Sequence, residues 1–176
     1  LNAADANSIE ERVAAVEKDI GPIEVVVFNL GAQIGDRALA DTSYKAFEMG
    51  WRWATFALFR LASAVLPRME ARGHGTLIVT SATAAVRGNA GQHSHAAAMG
   101  GRRMLCQTLN AEFAPKGIHV AHVLIDGAVD APDTLGKMLG AERFQQLREI
   151  RGREHDGLIL PEKVAETYFH IAGQHR

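Results

Sequence analysis

The chain has 176 residues, and its 19 Lys and Arg against 20 Asp and Glu leave a formal net charge of −1. Hydrophobic residues make up 47% of it and charged residues 22%, a composition that indicates a globular chain and excludes a disordered one. No basic block favours nucleic acid, and no apolar run is long enough to span a membrane. The lone Cys106 excludes an internal disulfide, and without a Cys/His cluster we predict no metal site. We expect a soluble protein of the cytoplasm.

The first predicted elements are a helix and a strand. Asn7 or Ser8 can cap the helix, and Gly21-Pro22 ends it. Residues 23–28 form a β-branched run that is apolar on both faces, which is typical of a strand covered on both sides in a parallel sheet. A loop follows at Asn29–Ala32.

A long helix is predicted over residues 42–72, with Asp41 as its N-cap. Pro67 is expected to kink or end this helix. An apolar stripe at helical spacing runs along it and comprises Phe47, Trp51, Ala54, Leu58, Leu61 and Val65.

The rest of the chain continues the alternation of helices and strands. Strands are predicted over 76–80 and 118–125, with a helix over 93–113 between them, and a last helix begins near Pro161. This order predicts an α/β fold, a three-layer sandwich around a doubly wound parallel sheet, in a single domain over residues 1–176. Ligands of such sheets bind beyond the carboxyl ends of the strands, which here are the loops Asn29–Ala32, Ser81–Gly91 and Asp126–Thr134.

Motifs at these loops, in their order and spacing, resemble the short-chain dehydrogenase/reductase family over nearly the whole chain. The matching pieces are Asp5-Ala6, Asn29-Leu30-Gly31, Pro67-x-Met69, Gly75-Thr76-Leu77-Ile78-Val79, Gly91-Gln92 and Gly117-Ile118-His119-Val120. The resemblance implies a Rossmann-like fold, an oxidoreductase activity, a small-molecule substrate and NAD or NADP as cofactor. The residues that it places at the cofactor are Asp5, Ala6, Asn29, Leu30, Gly31, Asp126 and Gly127.

Four residues carry the chemistry of that family, an Asn, a Ser, a Tyr and a Lys. The Tyr is the general acid/base, the Lys four residues later lowers its pKa and holds the nicotinamide ribose, the Ser polarises the substrate carbonyl and the Asn holds a proton path. Aligned on the motifs above, the Tyr position is His95, the Lys position is Met99, the Ser position is Ala82 and the Asn position is Ala54. None of the four family identities stands at these positions, which we call the tetrad positions.

His95 could still move a proton, because an unperturbed imidazole titrates near pH ~6.5. The alternative is that it is a helix residue that happens to face the cleft. Ser81 neighbours the Ser position, but strand alternation points it to the other sheet face from Ala82. Met99 and Cys106 lie seven residues apart on one helical stripe, and we interpret both as buried packing residues.

The resemblance also implies a homodimer or homotetramer, formed through the helices over 42–72 and 93–114. Core packing is the alternative for the apolar stripe of the first of these helices. His119 and His122 fall on opposite faces of their predicted strand, so they cannot bind one metal ion together.

Parts of the family fold have no counterpart in this sequence, namely the Gly-rich pyrophosphate loop, the first two strands and the last strand. The chain starts at Leu1, with no initiator Met and no signal-peptide pattern. We expect it to enter a domain in progress, in a native protein that is longer at its N-terminus.

Three functions stay open on these residues. The first is an NAD(P)-linked oxidoreductase whose carbonyl–alcohol hydride transfer is impaired or altered. The second is a relative that binds nucleotide or substrate without turnover, and the third is a subunit that serves assembly alone. Cofactor titration separates the first two from the third, and hydride-transfer assays separate the first from the second. The substrate is not predicted, because the chemistry of the loop over 131–154 is generic.

Overall fold

A computed structural model describes residues 8–31, 38–152 and 157–174 of the chain. Its helices are α1 (Ser8–Asp19), α2 (Tyr44–Trp51), α3 (Ala57–Arg72), α4 (His93–Phe113), α5 (Lys137–Leu139), α6 (Ala141–Arg151) and α7 (Pro161–Ala172). Its strands are β1 (Val25–Phe28), β2 (Gly75–Ala82) and β3 (Ile118–Ile125). None of the helices in these ranges combines the length and the apolar character that crossing a bilayer requires. The chain divides into two compact units, one up to Ile125 and one from Asp126 onward.

The three strands form one parallel sheet in the order β1-β2-β3. Val25 pairs with Thr76, and Gly75 pairs with Ile118, so β2 lies between its two neighbours in register. The α/β class and the three predicted parallel, adjacent strands are confirmed, although β1 begins two residues later than expected. Because all strands run in one direction, their carboxyl ends lie at one edge of the sheet.

The segment predicted as one long helix is divided. The predicted cap is wrong: Asp41 lies in a preceding 3-10 turn, and α2 begins after Ser43, whose Oγ accepts a hydrogen bond from Ala46 N at 3.2 Å. Arg52–Phe56 form a π-helical turn between α2 and α3. Such turns insert a residue into a helix and rotate its face, which periodicity at 3.6 residues per turn does not reveal.

α3 runs through Pro67 and ends at Gly73, so Pro67 does not end the helix, and the alternative that it kinks the helix stays a prediction. Gly73 has a left-handed φ of 75°, the backbone conformation that closes helices and that favours glycine.

The apolar stripe of this segment is buried only from the π turn onward. Ala54 and Leu58 are fully buried, whereas Phe47 and Trp51 are 42% and 43% exposed. Trp51 stacks on Phe56 with the ring centroids 5.4 Å apart. Core packing therefore accounts for the second half of the stripe and leaves the first half uncovered in the single chain.

Helices α1, α3 and α4 share one core with the sheet. Its buried members include Ile9, Val13, Phe28, Leu58, Val65, Leu66, Met69, Leu77, Val79, Cys106, Leu109, Phe113, Ile118 and Val120. Cys106 is confirmed as a buried packing residue, and its burial raises the pKa of the thiol to about 12, although the charge of Arg102 opposes the shift. The thiol is therefore protonated at neutral pH and acts as a small apolar group.

At the amino ends of the strands, two arginines of α3 share one carboxylate of α1. Glu17 Oε2 lies 3.1 Å from Arg68 Nη1, and Glu17 Oε1 lies 3.0 Å from Arg72 Nη1. Arg72 Nη2 donates to Ile23 O at 2.8 Å, and Ile23 N donates to Glu17 Oε1 at 3.3 Å. Burial acts to raise the pKa of Glu17, but the hydrogen bonds from Ile23, Arg72 and Arg68 outweigh it and lower the pKa. We call these four residues the Glu17 cluster.

The second unit holds α5, α6 and α7. Its one bridge between extended segments pairs Val129 with Ile159, within the residues that the structure describes. Arg148 Nε lies 2.7 Å from Asp130 Oδ1, and the guanidinium lies 4.6 Å from the ring centroid of Phe144. The ion pair connects α6 to the segment around Asp130, within the second unit.

Candidate functional site

The loop after β1 lies at the carboxyl edge of the sheet. Asn29 is exposed, and Leu30 packs against the core of the first unit. At the exposed Gly31, a Cβ atom would meet no atom of the described residues within 4 Å. Parallel sheets bind their ligands at this edge, and three of the residues predicted at the cofactor lie here.

Three of the tetrad positions meet in one apolar cluster, although they come from three different elements. Ala54 lies in the π turn, Ala82 ends β2 and Met99 lies in α4. The buried members of this alanine cluster are Ala54, Ala84, Ala85, Ala98 and Met99, with Trp53, Ala82 and Ala96 packed against them. Ala54 is 0% and Met99 2% exposed, so both side chains are packed within the cluster and shielded from solvent.

Two hydroxyl groups border the alanine cluster. Ser81 Oγ donates to Met99 Sδ at 3.6 Å, and Thr55 Oγ1 donates to Ala98 O at 2.8 Å. Ser81 and Ala82 are consecutive, yet both contact the cluster, which strand alternation does not predict. The reason is local: β2 ends at Ala82, and a 3-10 turn begins at the next residue.

His95 lies in the first turn of α4 and is half-buried. Met99 follows it by four positions, a spacing that places both on one side of the helix. Its neighbour Ala96 packs against the alanine cluster. A titratable imidazole thus lies at the rim of the cluster, and its role as acid/base stays a prediction.

Arg102 is a buried charge that the sequence analysis did not single out. It is 2% exposed, and its guanidinium donates to three backbone carbonyl oxygens. Nε reaches Ala54 O at 3.0 Å, Nη1 reaches Thr80 O at 2.6 Å and Nη2 reaches Leu30 O at 2.8 Å. The guanidinium carbon lies 4.9 Å from the ring centroid of Phe28. One side chain therefore joins the ends of β1 and β2 to the π turn.

Burial lowers the pKa of Arg102 to about 10, so the guanidinium is charged at neutral pH. Burial also lowers the pKa of His122, and the charges of Arg102 and Arg103 add to that shift. The sequence signal for Arg102 was its spacing, because it follows Met99 by three residues and precedes Cys106 by four, on the buried face of α4.

The described residues fit a bound dinucleotide only in part. Asn29 offers an exposed amide and Gly31 an exposed backbone, but the thioether of Met99 has no hydrogen to donate to a ribose hydroxyl. Asp5 and Ala6 lie outside the described residues. Asp126 and Gly127 are exposed and begin the second unit. The alanine cluster therefore does not fit the half of the site that would hold ribose and carbonyl.

No group of three or more His, Cys, Asp or Glu able to hold a metal ion occurs within the described parts of the chain.

Two relatives by sequence are reductases. The short-chain reductase protein NovJ of Streptomyces niveus is 32% identical over 174 residues, which are 97% of this chain and 65% of the relative. The 3-oxoacyl-[acyl-carrier-protein] reductase FabG of Escherichia coli K12 is 28% identical over 134 residues, 76% of this chain and 54% of the relative. The chain thus spans between half and two thirds of the length of these two proteins.

The fold has a close structural counterpart. A crystal structure of an ElxO variant with NADPH bound superposes with a TM-score of 0.86 at 20% identity, covering 99% of this chain and 69% of that one. At that identity the likeness shows the fold alone. The model of the short chain dehydrogenase family matches residues 1–135, more than half of the sequence. This chain therefore belongs to the short-chain dehydrogenase family.

Proposed function

We propose that the chain derives from an NAD(P)-dependent oxidoreductase of the short-chain dehydrogenase type whose carbonyl–alcohol hydride transfer is impaired or altered. The observation that carries the proposal is the alanine cluster. Ala54, Ala82 and Met99 lie in one apolar cluster. By the alignment, these are the positions at which the family has its Asn, Ser and Lys.

Hydride transfer to a carbonyl needs a proton donor, a group that polarises the carbonyl and a hold on the nicotinamide ribose. Ala82 has no hydrogen to donate to a carbonyl, and Met99 has neither a charge nor a donor. Loss of one such donor costs about 10²–10³ in rate, and losses within one catalytic unit do not add simply. We therefore expect no ordinary carbonyl reductase turnover from the 176-residue chain.

Any remaining proton transfer is assigned to His95. Its ring is half-buried at the rim of the cluster, within one helical turn of Met99. For the dinucleotide, the proposal keeps Asn29, Leu30 and Gly31 at the edge of the sheet, and Asp5, Ala6, Asp126 and Gly127 by resemblance. Because Met99 stands where the family has the lysine that binds the nicotinamide ribose, we expect NAD or NADP to bind weakly or not at all to this chain.

The test is dinucleotide titration and NAD(P)H oxidation against a panel of aldehydes and ketones. Both are run on the chain and on a version extended by a complete Gly-rich N-terminal unit, each beside its His95→Ala variant. The expected result is weak binding without turnover. Turnover that His95→Ala abolishes would overturn the proposal that hydride transfer is impaired, and it would identify His95 as the acid/base. Turnover unaffected by that substitution would show that the alignment of α4 is wrong.

A positive control restores the family residues in the extended version through Ala54→Asn, Ala82→Ser, His95→Tyr and Met99→Lys. Turnover gained by this variant, with none in its parent, supports the placement of the four positions. No gain, with dinucleotide bound equally by both, would leave the second candidate, a binder without turnover.

The exposed half of the apolar stripe favours an assembly role beside either candidate. Tyr44 is 96%, Phe47 42%, Trp51 43% and Phe59 51% exposed, and all four lie on the helical segment over 42–72. Several exposed aromatic side chains on one helical segment favour a contact surface. We propose that a homodimer or homotetramer forms through this segment and the helix over 93–114. Monomeric sedimentation at micromolar concentration would contradict it.

A further inference from the structure

Arg102 connects segments that are far apart in sequence. Its three carbonyl partners are separated from it by 72, 48 and 22 residues. They lie in the loop after β1, in the π turn that carries Ala54 and in β2 two residues before Ala82. Two of the carbonyls belong to predicted site residues themselves, Leu30 and Ala54, so Arg102 binds the backbone that carries the site and not the site's side chains.

The contacts require a guanidinium. Its N–H groups point in fixed directions within one plane, and here three different nitrogens each serve a different carbonyl. A lysine ammonium is a compact point charge, and it cannot span three acceptors arranged around a planar fork. The ring of Phe28 packs 4.9 Å from the guanidinium carbon and adds a cation–π contact.

The cation of α4 lies at a different position from the one that the family alignment predicts. The family residue at Met99 is a lysine, so the family places a cation at this point of the helix. In this chain the cation stands three residues later, on the same helix face, and Met99 is a buried thioether. Two cations this close in a buried environment repel each other strongly.

We propose that Arg102 is the positioning residue of the carboxyl edge. It sets the loop after β1, the π turn and the end of β2 relative to one another, and it supplies from the next turn of α4 the cation that position 99 lacks. The role of Arg102 in setting this geometry does not depend on substrate turnover, whereas its role as the replacing cation rests on the alignment behind the proposed function.

The experiment is amide hydrogen exchange of the 176-residue chain and of its Arg102→Met and Arg102→Lys variants. Exchange over residues 53–57 and 80–82 is expected to rise about tenfold or more in both variants, because the local openings there lose their anchor. Residues 23–26 and 75–77, at the other end of the strands, are expected to change by less than about threefold. If Arg102→Met does not fold, Arg102→Lys carries the test, because it keeps the charge and removes only the fork.

The matched control is Arg72→Met, which removes the arginine that binds Ile23 O at the amino ends of the strands. It is expected to reverse the pattern, with the rise confined to residues 23–26 and 75–77. A uniform rise at both ends in the Arg102 variants, or no rise over 53–57 and 80–82, would overturn the proposal.

Trp53 gives a spectroscopic measure, because it packs against the alanine cluster beside Ala54. In a Trp51→Phe background, emission is expected to shift to the red in both Arg102 variants and to stay unchanged in Arg72→Met. An unchanged spectrum in the Arg102 variants would contradict a role in placing the π turn.

The relocated charge is tested by a double-mutant cycle with Met99→Lys. The single substitution is expected to lower the urea midpoint, because it adds a second buried cation next to Arg102. Met99→Lys combined with Arg102→Met is expected to lose clearly less than the sum of the two single losses. A loss equal to or larger than that sum would overturn the proposal that Arg102 replaces the cation of the family lysine at position 99.

Discussion

The two ends of the sheet are both held by arginines, but the partners differ. At the amino ends, Arg68 and Arg72 face the carboxylate of Glu17, and the Arg72 and Glu17 side chains are 23% and 15% exposed. At the carboxyl ends, Arg102 is 2% exposed and donates to neutral backbone carbonyls. An ion pair near solvent depends on the ionisation of its acid. The stability contribution of a buried cation that binds carbonyl oxygens depends on the geometry of its hydrogen bonds and on the presence of every acceptor.

The difference matters for function because ligands of this fold bind at the carboxyl ends. That edge holds the buried guanidinium of Arg102, whose hydrogen bonds need three carbonyls in fixed positions. It also holds the apolar alanine cluster at the predicted tetrad positions. The amino edge has conventional charge pairing and, among the residues that the structure describes, no predicted site residue. We expect substitutions at the two ends to differ in how much they lower the free energy of unfolding and in how that loss depends on pH. We also expect the two ends to differ in how well they tolerate added side-chain volume.

The largest effect is expected from Arg102→Met. It removes the donor from one buried and two part-buried carbonyl acceptors and is expected to lower the free energy of unfolding by about 3–5 kcal/mol. Arg72→Met, whose partners are closer to water, is expected to cost about 1–3 kcal/mol. Urea unfolding at pH ~7 measures both. Equal losses would break the distinction between the two ends.

Glu17→Gln is expected to cost about 1–2 kcal/mol at neutral pH, because the two arginines lose the negative charge and one of the two acceptor oxygens of their shared partner. The pKa of Glu17 is lower in the folded state. Its contribution is therefore complete above the ordinary pKa of a glutamic acid and is lost as the pH falls through the folded-state pKa. Urea unfolding of both proteins from neutral to acid pH is expected to show their difference shrink towards zero. A difference that stays constant on acidification would contradict this account.

Adjacent glycines of α4 test the packing at the carboxyl edge. A Cβ at Gly101 would lie 3.1 Å from Thr55 Oγ1, which is held by its hydrogen bond to Ala98 O, whereas a Cβ at Gly100 would meet nothing within 4 Å. Gly101→Ala is expected to destabilise by about 1 kcal/mol through overpacking. Gly100→Ala is expected to stabilise by about 0.5–1 kcal/mol through helix propensity. Thermal unfolding ranks them, and the same sign for both would show that Thr55 gives way.

The smallest effect is expected at the exposed pair of His74 and Glu24, in which Nε2 and Oε2 are 2.8 Å apart and the side chains are 42% and 55% exposed. Glu24→Gln is expected to change the free energy of unfolding by less than about 0.5 kcal/mol, because water screens the pair. The backbone bond from Thr76 N to Glu24 O, 2.9 Å long, is unaffected by the substitution. A loss as large as that of Glu17→Gln would show that exposure does not decide the strength of charge pairs at this end.

Several parts of the fold follow from local patterns. Doubly apolar, β-branched runs predicted β1, β2 and β3, and the helical connections between them predicted their parallel order. The division of the long helix did not follow, because a π turn leaves the apolar stripe intact in sequence while rotating the chain. Ser43 replaced Asp41 as the cap for a similar reason, since both are good capping residues and the true start of α2 decided between them.

The sequence by itself determined the class of this protein, and it predicted which side chains stand at the tetrad positions. Motif order and spacing were sufficient because strands and loops of a parallel sheet keep their order along the chain. Only the tertiary structure decided that Ala54, Ala82 and Met99 close into one apolar cluster, and that Arg102 ties that region to both strand ends. Burial and hydrogen bonding depend on segments up to 72 residues apart, which no local pattern specifies. A charge on an apolar helical face shows only that some partner must exist, and the folded backbone supplies that partner.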